Sequence, residues 1–206
     1  MEYWDIYDEK KQKTGRTMKR NDWNMKPDEY HLTVLGVLKR PDGRYLITQR
    51  KLDKEWGAGW WEVPGGGVNA GEDSRDAVIR EIREETGIDV SQAAGGYAFS
   101  YKRVNPEEKN NYFVDIYKFI LDFVDNDVKV QPEEVEGFKI ATLEEIRAFA
   151  QEGIFLHYDS MKEYSTRACL KNHFRNLQAP LCGIFYPHSV AVARYAALIR
   201  IKSPTN

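Results

Sequence analysis

The sequence predicts a mixed α/β fold, and three observations lead to this class. The chain has 206 residues, of which 42% are hydrophobic, so it is long enough to bury a core. Segments rich in β-branched and aromatic residues stand on both sides of one amphipathic, glutamate-rich segment. A second helix start follows the last of these strand-like segments. Strands, a central helix, more strands and a terminal helix are typical of one mixed α/β domain with extensions.

Before the central helix, the sequence predicts two pairs of strands. A short N-terminal hairpin has its polar turn at residues 8–13, and a longer hairpin turns at Pro41-Asp42-Gly43. The predicted strands are residues 4–7, 15–17, 31–39 and 45–50. The first pair precedes the main body of the domain, and the second pair opens its sheet.

After the central helix, strand composition recurs at residues 97–104, 112–124 and 138–141. Thr142 and Glu145 then have the spacing of a capping box, in which each side chain accepts a hydrogen bond from the other residue's backbone N–H. This spacing predicts a second helix that ends near Gln151.

The central helix carries Glu81, Glu84 and Glu85, which lie at positions i, i+3 and i+4 and therefore share one helix face. Such runs usually form a solvated face with compensating basic residues, but here Glu85 follows Glu81 four positions later. A divalent cation such as Mg²⁺ or Mn²⁺ would neutralise these carboxylates, because both ions prefer hard oxygen ligands. Arg80, four residues before Glu84, can hold one carboxylate through paired hydrogen bonds.

The ends and the buried side of this helix can also be predicted. The apolar stripe that would anchor it consists of Val78, Ile79 and Ile82. Asp73 and Ser74 suit the N-terminal cap, and Gly87 suits the C-terminal stop. Glu72, just before the helix, suits either capping or assistance to a metal.

The run Gly65-Gly66-Gly67 after Pro64 is unsuited to an ordinary strand interior, because successive glycines lose conformational entropy and contribute no packing. Such a run indicates that the backbone approaches another group closely. We therefore expect these glycines to enter the central helix beside its carboxylates.

Nine positions in this region make it similar to the Nudix box, the signature of the Nudix hydrolases. The matching positions are Gly66, Glu72, Arg80, Glu81, Ile82, Glu84, Glu85, Gly87 and Ile88. The resemblance implies an α/β/α sandwich around a mixed sheet. It also implies hydrolysis of a diphosphate linkage in a nucleoside diphosphate derivative or a related small molecule.

The resemblance assigns roles to the residues of the box. The implied ligands of Mg²⁺ or Mn²⁺ are Glu81, Glu84, Glu85, a carbonyl oxygen near Gly65 or Gly66, and Glu72. Glu84 and Arg80 are implied to be catalytic, with the cation polarising a phosphate oxygen and activating the attacking water.

A further carboxylate must accept the proton of that water, and our candidate is Glu134. It lies with Glu133 and Glu136 on a loop after the last long strand. Ordinary surface charge is the competing interpretation for each of the three.

Candidates for substrate contact precede the glycine run. Arg50 and Lys51 end a predicted strand, where they would either bind the outer phosphates or be solvated. Trp56, Trp60 and Trp61 follow, and an exposed ring there would stack on a base or line an isoprenoid pocket. Trp61 is our candidate for substrate contact, although we expect one residue of the Trp60-Trp61 pair to pack in the core.

The N-terminal segment suggests an alternative reaction. Residues 2–17 (EYWDIYDEKKQKTGRT) and 30–38 (YHLTVLGVL) resemble the Nudix branch that includes isopentenyl diphosphate isomerase. That isomerase uses a cysteine near its metal site, whereas Cys169 and Cys182 lie far downstream of the box. Hydrolysis is therefore favoured over isomerisation. A non-catalytic nucleotide sensor that kept the fold is the second alternative.

Charge and composition argue against several classes of protein. The net charge of −2 gives no reason to expect nucleic-acid or anionic-membrane binding. The first twenty residues are too charged for a signal peptide, and no apolar stretch reaches the length of a membrane span. Two cysteines without a disulfide framework fit a reducing compartment, so we expect a cytoplasmic enzyme.

We expect three parts in the chain: an N-terminal hairpin at residues 1–29, a Nudix domain at residues 30–155 and a helical extension at residues 156–206. The extension contains no acidic residue after Glu163, which marks a shift in composition. Helices are predicted at residues 157–175 and 189–201. They would pack on the domain, form a homodimer contact, bind a partner, or represent a tail foreign to the ancestral domain.

Overall fold

The computed structural model describes residues 2–22, 24–105, 107–158 and 161. Outside this part lie Cys169, Cys182, the helix predicted at residues 189–201, and all but three residues of the helix predicted at residues 157–175. The expected dimer contact therefore also lies outside it. No helix within the described ranges is long and apolar enough to cross a membrane.

Within the described ranges, six strands precede the first helix and three more strands lie between it and the second helix, which agrees with the predicted order of strands, helix, strands and helix. The strands are β1 (Tyr3–Tyr7), β2 (Lys13–Lys19), β3 (His31–Lys39), β4 (Tyr45–Arg50), β5 (Trp61–Glu62), β6 (Gly65–Gly67), β7 (Ala94–Arg103), β8 (Tyr112–Ile120) and β9 (Val135–Ala141). The helices are α1 (Ser74–Thr86) and α2 (Leu143–Gln151).

Seven strands form one mixed sheet, as predicted. Its main path runs β5-β4-β3-β8-β7, with β6 paired to β3 and β9 paired to β4. β3 and β8 are parallel along their whole lengths, and the other pairs are antiparallel. β3 therefore lies in the middle of the sheet, which accounts for its nearly continuous apolar sequence.

The glycine run forms a short strand, which the sequence did not predict. β4 pairs with β3 at only two positions and then diverges from it. β6 takes the vacated edge, with Gly65 opposite Leu35 and Gly67 opposite Thr33. The predicted close approach of the backbone is confirmed, because a Cβ at Gly65 would lie 2.2 Å from the carbonyl oxygen of Val34.

The two helices cover opposite faces of the sheet and give the predicted α/β/α sandwich. Successive side chains of a strand point to opposite faces, so β3 contributes to both cores. The cluster under α1 includes Val34, Leu38, Val78 and Ile82. The cluster under α2 includes Leu35, Val37, Ile47 and Ile146.

Gly36, in the middle of β3, allows α1 to lie close to the sheet. A Cβ at this position would be 2.4 Å from Cδ1 of Ile82 and 3.2 Å from Cγ2 of Val78. The helix therefore packs on bare backbone at this point.

Both ends of α1 and the start of α2 agree with the sequence predictions. Asp73 caps α1 by accepting hydrogen bonds from the backbone N–H groups of Arg75 (2.8 Å) and Asp76 (2.9 Å). Gly87 ends α1 in the left-handed region, with φ of 73°. At the start of α2, the predicted capping box forms (Thr142 and Glu145).

β7 and β8 differ from their predicted bounds. β7 begins at Ala94, three residues early, because Gly95 and Gly96 pair with β8 in spite of their low strand propensity. β8 ends at Ile120, four residues early, because the chain turns there toward a short 3₁₀ helix, Asp125–Asp127.

β1 and β2 form the predicted N-terminal hairpin as a separate two-stranded sheet. Backbone hydrogen bonds of 2.7 and 2.9 Å between Tyr7 and Tyr30 attach it to the chain just before β3. Trp4 stacks on His31 of β3, with ring centroids 4.1 Å apart. The hairpin's own buried cluster consists of Trp4, Ile6, Met18 and Met25.

Candidate active site

Arg80 is the centre of the charged face of α1. Its Nε and Nη2 atoms donate to the two carboxylate oxygens of Glu72, at 2.8 and 2.9 Å. Nη1 donates to Oε1 of Glu81 at 2.8 Å and to Oε2 of Glu84 at 3.1 Å. Nη2 also donates to the carbonyl oxygen of Gly67 at 3.2 Å. One guanidinium therefore connects the helix, the loop before it and the glycine strand.

This geometry corrects one expectation about Arg80. The paired hydrogen bonds expected for Glu84 go to Glu72, and Glu84 receives a single bond. Glu72 faces the Nε edge of the guanidinium, and its side chain is only 17% exposed. Glu84 is 50% exposed, so much of its carboxylate faces solvent.

Glu72 has a structural role other than the helix cap. Asp73 occupies the cap, and Glu72 instead accepts the backbone N–H of Asn69 at 3.0 Å while it binds Arg80. Burial by itself would raise the pKa of Glu72, but the hydrogen bonds from Arg80 and Asn69 hold that pKa below its ordinary value. Glu72 is therefore charged and held in one orientation.

Gly66 lies directly against Glu81. A Cβ at Gly66 would be 2.5 Å from Oε1 of Glu81, so any other residue would displace the carboxylate. Burial raises the pKa of Glu81, and the charge of Arg80 offsets part of this effect. The glycine strand and the carboxylate face are thus in contact, as the sequence predicted.

Glu85 differs from the other carboxylates of this group because one of its oxygens is buried and unpaired within the described part of the chain. Its Oε2 has no hydrogen-bond partner among the described residues. Burial raises the pKa of Glu85 well above its ordinary value, and the charges of Glu62 and Glu81 act in the same direction. A buried carboxylate oxygen without a partner is costly unless a ligand satisfies it.

Glu62, in β5, is a fifth carboxylate of the group, and the sequence prediction did not include it. It accepts a hydrogen bond from Nη1 of Arg50 at 3.0 Å, and burial raises its pKa. The available signal was its position: a single acidic residue between Trp61 and Val63, three residues before the glycine run begins at Gly65. Alternation along a strand places Glu62 and Trp61 on opposite faces.

Arg50 lies beside the carboxylates, at the end of β4. In addition to its bond with Glu62, it donates to the carbonyl oxygen of Trp56 through Nε (3.3 Å) and Nη2 (3.2 Å). Its guanidinium lies 5.5 Å from the ring centroid of Trp56. Arg50 therefore connects the acidic group with the loop that carries Trp56 and Trp60, which we call the tryptophan loop.

The structure does not bring Trp61 to the carboxylates. Its ring stacks on Phe149 of α2, with centroids 5.4 Å apart and an interplanar angle of 11°. The rings of the two neighbouring tryptophans, Trp56 and Trp60, have their centroids 6.1 Å apart on the loop before β5. Of Trp60 and Trp61, Trp61 is thus the residue that packs inward, on the α2 side of the sheet.

The loop before β9 lies against the C-terminal end of α1. Its backbone N–H groups at Lys129 and Gln131 donate to the carbonyl oxygens of Thr86 (2.8 Å) and Glu85 (3.3 Å). Glu134 of this loop forms an ion pair with Lys54, and its charge contributes to the raised pKa of Glu85. Glu136, which we expected on this loop, instead lies in β9, because this strand begins three residues earlier than predicted. Its carboxylate forms an ion pair of 3.0 Å with Lys51.

Two members of the acidic group, Glu72 and Glu84, border a groove on the surface. A surface groove of about 480 Å³ is lined by Glu72, Asp76, Ile79, Arg80, Arg83 and Glu84. Within the described ranges, no three His, Cys, Asp or Glu side chains converge closely enough to form a preformed metal cage. Arg80 instead occupies the space between three of the carboxylates.

Comparison with known proteins gives consistent results. Residues 29–162 match the NUDIX domain family, and residues 170–206 match a family of unknown function (DUF6783). An uncharacterized Nudix hydrolase of Listeria monocytogenes, lmo0368, is 33% identical over 77% of this chain and 90% of its own length.

Two further proteins extend the comparison. An ADP-ribose pyrophosphatase of Methanocaldococcus jannaschii is 31% identical over 62% of this chain and 72% of its own length. The crystal structure of DR0079 from Deinococcus radiodurans superposes with a TM-score of 0.61 at 22% identity, over 74% of this chain and 91% of that one. The second similarity concerns the fold alone.

Proposed function

The chain belongs to the Nudix family and is a pyrophosphohydrolase, and on this premise we propose that it cleaves a diphosphate linkage in a nucleoside diphosphate derivative or a related small molecule, with Mg²⁺ or Mn²⁺ as cofactor. The observation that carries the proposal is the acidic group beside Gly66, where Glu85 leaves a buried oxygen without a described partner. ADP-ribose is the first substrate to test, because a relative bears that activity in its name.

The donor set fits a hard divalent cation. Glu81 lies against Gly66, Glu85 has a buried oxygen without a described partner, and Glu84 is half exposed. Mg²⁺ and Mn²⁺ prefer such carboxylate oxygens as ligands. We assign the cation to these residues, with Glu72 in support. When bound, the cation would neutralise charge on the phosphate oxygens and lower the pKa of water in its hydration shell.

The residues around this position have separate tasks. Arg80 orients Glu81 and Glu84 and keeps Glu72 in place, so the carboxylate face is organised before substrate arrives. Glu134 is our candidate for the general base, supported by its loop's contacts with Glu85.

Arg50 is our candidate for contact with the outer phosphates. Its guanidinium already binds one oxyanion, the carboxylate of Glu62. It also donates a hydrogen bond to the carbonyl oxygen of Trp56 in the tryptophan loop. A phosphate would exchange with that partner through the same donors.

The test is turnover by metal-stripped protein with and without added Mg²⁺ or Mn²⁺. The panel would contain ADP-ribose, nucleotide sugars, dinucleotides, CoA and isopentenyl diphosphate, with phosphate-containing products measured. We expect metal-dependent hydrolysis of at least one nucleoside diphosphate derivative. Glu84→Gln should abolish most of it, whereas Glu144→Gln, an exposed acidic position on α2, should leave it intact.

Two outcomes would contradict the proposal. Isomerised isopentenyl diphosphate without phosphate release would indicate the isomerase. Tight binding of a nucleotide without turnover of any diphosphate, unchanged in Glu84→Gln, would indicate a sensor.

A further inference from the structure

The N-terminal hairpin touches the loop that leads into α1. The backbone N–H of Ala70 donates to the carbonyl oxygen of Tyr3 at 2.7 Å. The backbone N–H of Gly71 donates to Oδ2 of Asp5 at 2.9 Å. The ring of Trp4 lies so close to Gly67 that a Cβ there would be 2.6 Å from its Nε1 atom. Strand β1 therefore contacts this segment at three positions, Gly67, Ala70 and Gly71.

This loop is the part of the chain that orients Arg80. Gly67, the last residue of β6, accepts a hydrogen bond from Nη2 of Arg80 just before the loop, and Glu72 of the loop binds the same guanidinium through both oxygens. Gly71 directly precedes Glu72, and its φ of 83° lies in the left-handed region. A shift of the Gly71 backbone would therefore move the carboxylate that holds Arg80.

Asp5 is suited to holding that backbone. Its side chain is 17% exposed and forms an ion pair of 2.6 Å with Lys13, on the neighbouring strand of the hairpin. Burial by itself would raise the pKa of Asp5, but the hydrogen bonds from Lys13 and Gly71 hold it below its ordinary value. The bond to Gly71 is therefore made by a charged acceptor, which is stronger than a neutral one.

The hairpin lies outside the segment that matches the NUDIX domain, because the match begins at residue 29. We propose that the hairpin is nevertheless part of the catalytic centre, with Asp5 as a positioning residue that acts through Gly71, Glu72 and Arg80 on the carboxylate face of α1. The inference rests on the proposed hydrolase function. It adds a residue that the box does not contain.

The competing possibility is that Asp5 only attaches the hairpin to the domain. Glu29 provides a matched control, because it also pairs with a cation of the hairpin, Arg16, at 2.9 Å. Its side chain is 14% exposed, similar to that of Asp5. No hydrogen bond or ion pair described for Glu29 reaches the loop before α1.

The test compares Asp5→Ala, Asp5→Asn and Glu29→Gln in the full chain. We expect Asp5→Ala to lower kcat and to weaken Mn²⁺ binding without substrate, each by about tenfold, as is usual when support for a metal ligand is lost. KM should change little. Asp5→Asn, which keeps an acceptor oxygen for Gly71, should recover part of the loss. Glu29→Gln should behave like wild type in both measurements.

Two readouts separate positioning from attachment. Exchange of the Gly71 amide hydrogen should accelerate in Asp5→Ala and remain slow in Glu29→Gln. In a double-mutant cycle with Arg80→Lys, the Asp5→Ala effect on kcat should largely disappear, because both changes disrupt one chain of contacts. Additive effects, or equal losses of kcat and Mn²⁺ affinity in Glu29→Gln, would overturn the inference.

The inference and the proposed function fail in different ways. If the wild type cleaved no diphosphate, the proposed function would fail, while Mn²⁺ affinity and Gly71 exchange would still test Asp5. If Asp5→Ala left Mn²⁺ affinity and Gly71 exchange unchanged in an active enzyme, only the role of Asp5 would fail. Melting temperatures of the variants identify any that do not fold, and Asp5→Asn then carries the test.

Discussion

The two helices of the sandwich both carry neighbouring acidic residues, but at opposite ends. In α2, Glu144 and Glu145 lie in the first turn, where the helix dipole favours negative charge. In α1, Glu84 and Glu85 lie in the last turn, where the dipole disfavours it. Sequence composition is similar in both places, and the electrostatic consequence is opposite.

The pKa values of Glu145 and Glu85 shift in opposite directions. The backbone N–H of Thr142 and the side chain of Lys139 lower the pKa of Glu145 to about 2. Burial raises the pKa of Glu85 well above its ordinary value. Charge at Glu145 therefore stabilises the fold, whereas charge at Glu85 opposes it. An acidic residue kept where it destabilises a helix is a better indicator of a site than acidic composition itself.

The largest expected effect separates function from stability within α1. Glu85→Gln should lower kcat by at least about a hundredfold, because it removes a charged oxygen of the proposed cation site. The same change should raise the free energy of unfolding of the metal-free protein by about 1 kcal/mol, because a neutral amide replaces a buried carboxylate. Steady-state kinetics and denaturant unfolding measure the two effects.

Glu144→Gln in α2 is the control for this pair of measurements. It should leave kcat unchanged and should not raise stability, because Glu144 lies in the favourable first turn. A lower free energy of unfolding in Glu85→Gln would contradict the proposed electrostatic difference between the two helices.

The next effect concerns the apolar anchors of the two helices. Ile146 of α2 and Ile82 of α1 are both fully buried. Truncation of either to alanine should lower the free energy of unfolding by about 3 kcal/mol. At temperatures well below the melting temperature of the variant, Ile146→Ala should have the kcat of the wild type. Ile82→Ala should lose activity, because it loosens the helix that carries the carboxylates. Equal kcat in the two variants would contradict this division.

A smaller effect tests the start of α2. Thr142 accepts the backbone N–H of Glu145 at 3.2 Å in the capping box. Thr142→Ala should lower the free energy of unfolding by about 1 kcal/mol and leave kcat unchanged. Urea unfolding monitored by circular dichroism would detect the change. A loss of activity at full folding would show that α2 contributes to catalysis.

The smallest effect is the pH dependence of the same cap. Because the folded-state pKa of Glu145 lies below the ordinary value of 4.5, its stabilisation is present above pH 4.5 and is lost as the pH falls toward about 2. The difference in melting temperature between wild type and Glu145→Gln should shrink over this range. A difference that stays constant across it would mean that the charge of Glu145 does not act on the cap.

Local patterns in the sequence were sufficient to predict both helices and their caps. The stops and starts at Asp73, Gly87 and Thr142 depend on residues within a few positions of one another, so a linear reading detects them. The carboxylate face of α1 is also local, because helical spacing alone places its members together.

Contacts between distant parts of the chain were not predictable in this way. Asp5 reaches Gly71 across 66 residues, and Arg50 reaches Glu62 through the pairing of two strands. The short strand β6 depends on the divergence of β4 from β3, which no periodicity encodes. The stacking of Trp61 on Phe149 was not predictable either, because tertiary packing decides which face of β5 meets α2.

Gly36 has a consequence for how the centre tolerates change. It leaves β3 without a side chain where Ile82 rests, and Ile82 directly follows Glu81. The distance between Glu81 and Gly66 therefore depends on a core position, because the missing Cβ of Gly36 lets α1 lie close to the sheet. Any larger residue at position 36 would push Ile82 outward and move the carboxylates of α1 away from the backbone that they face.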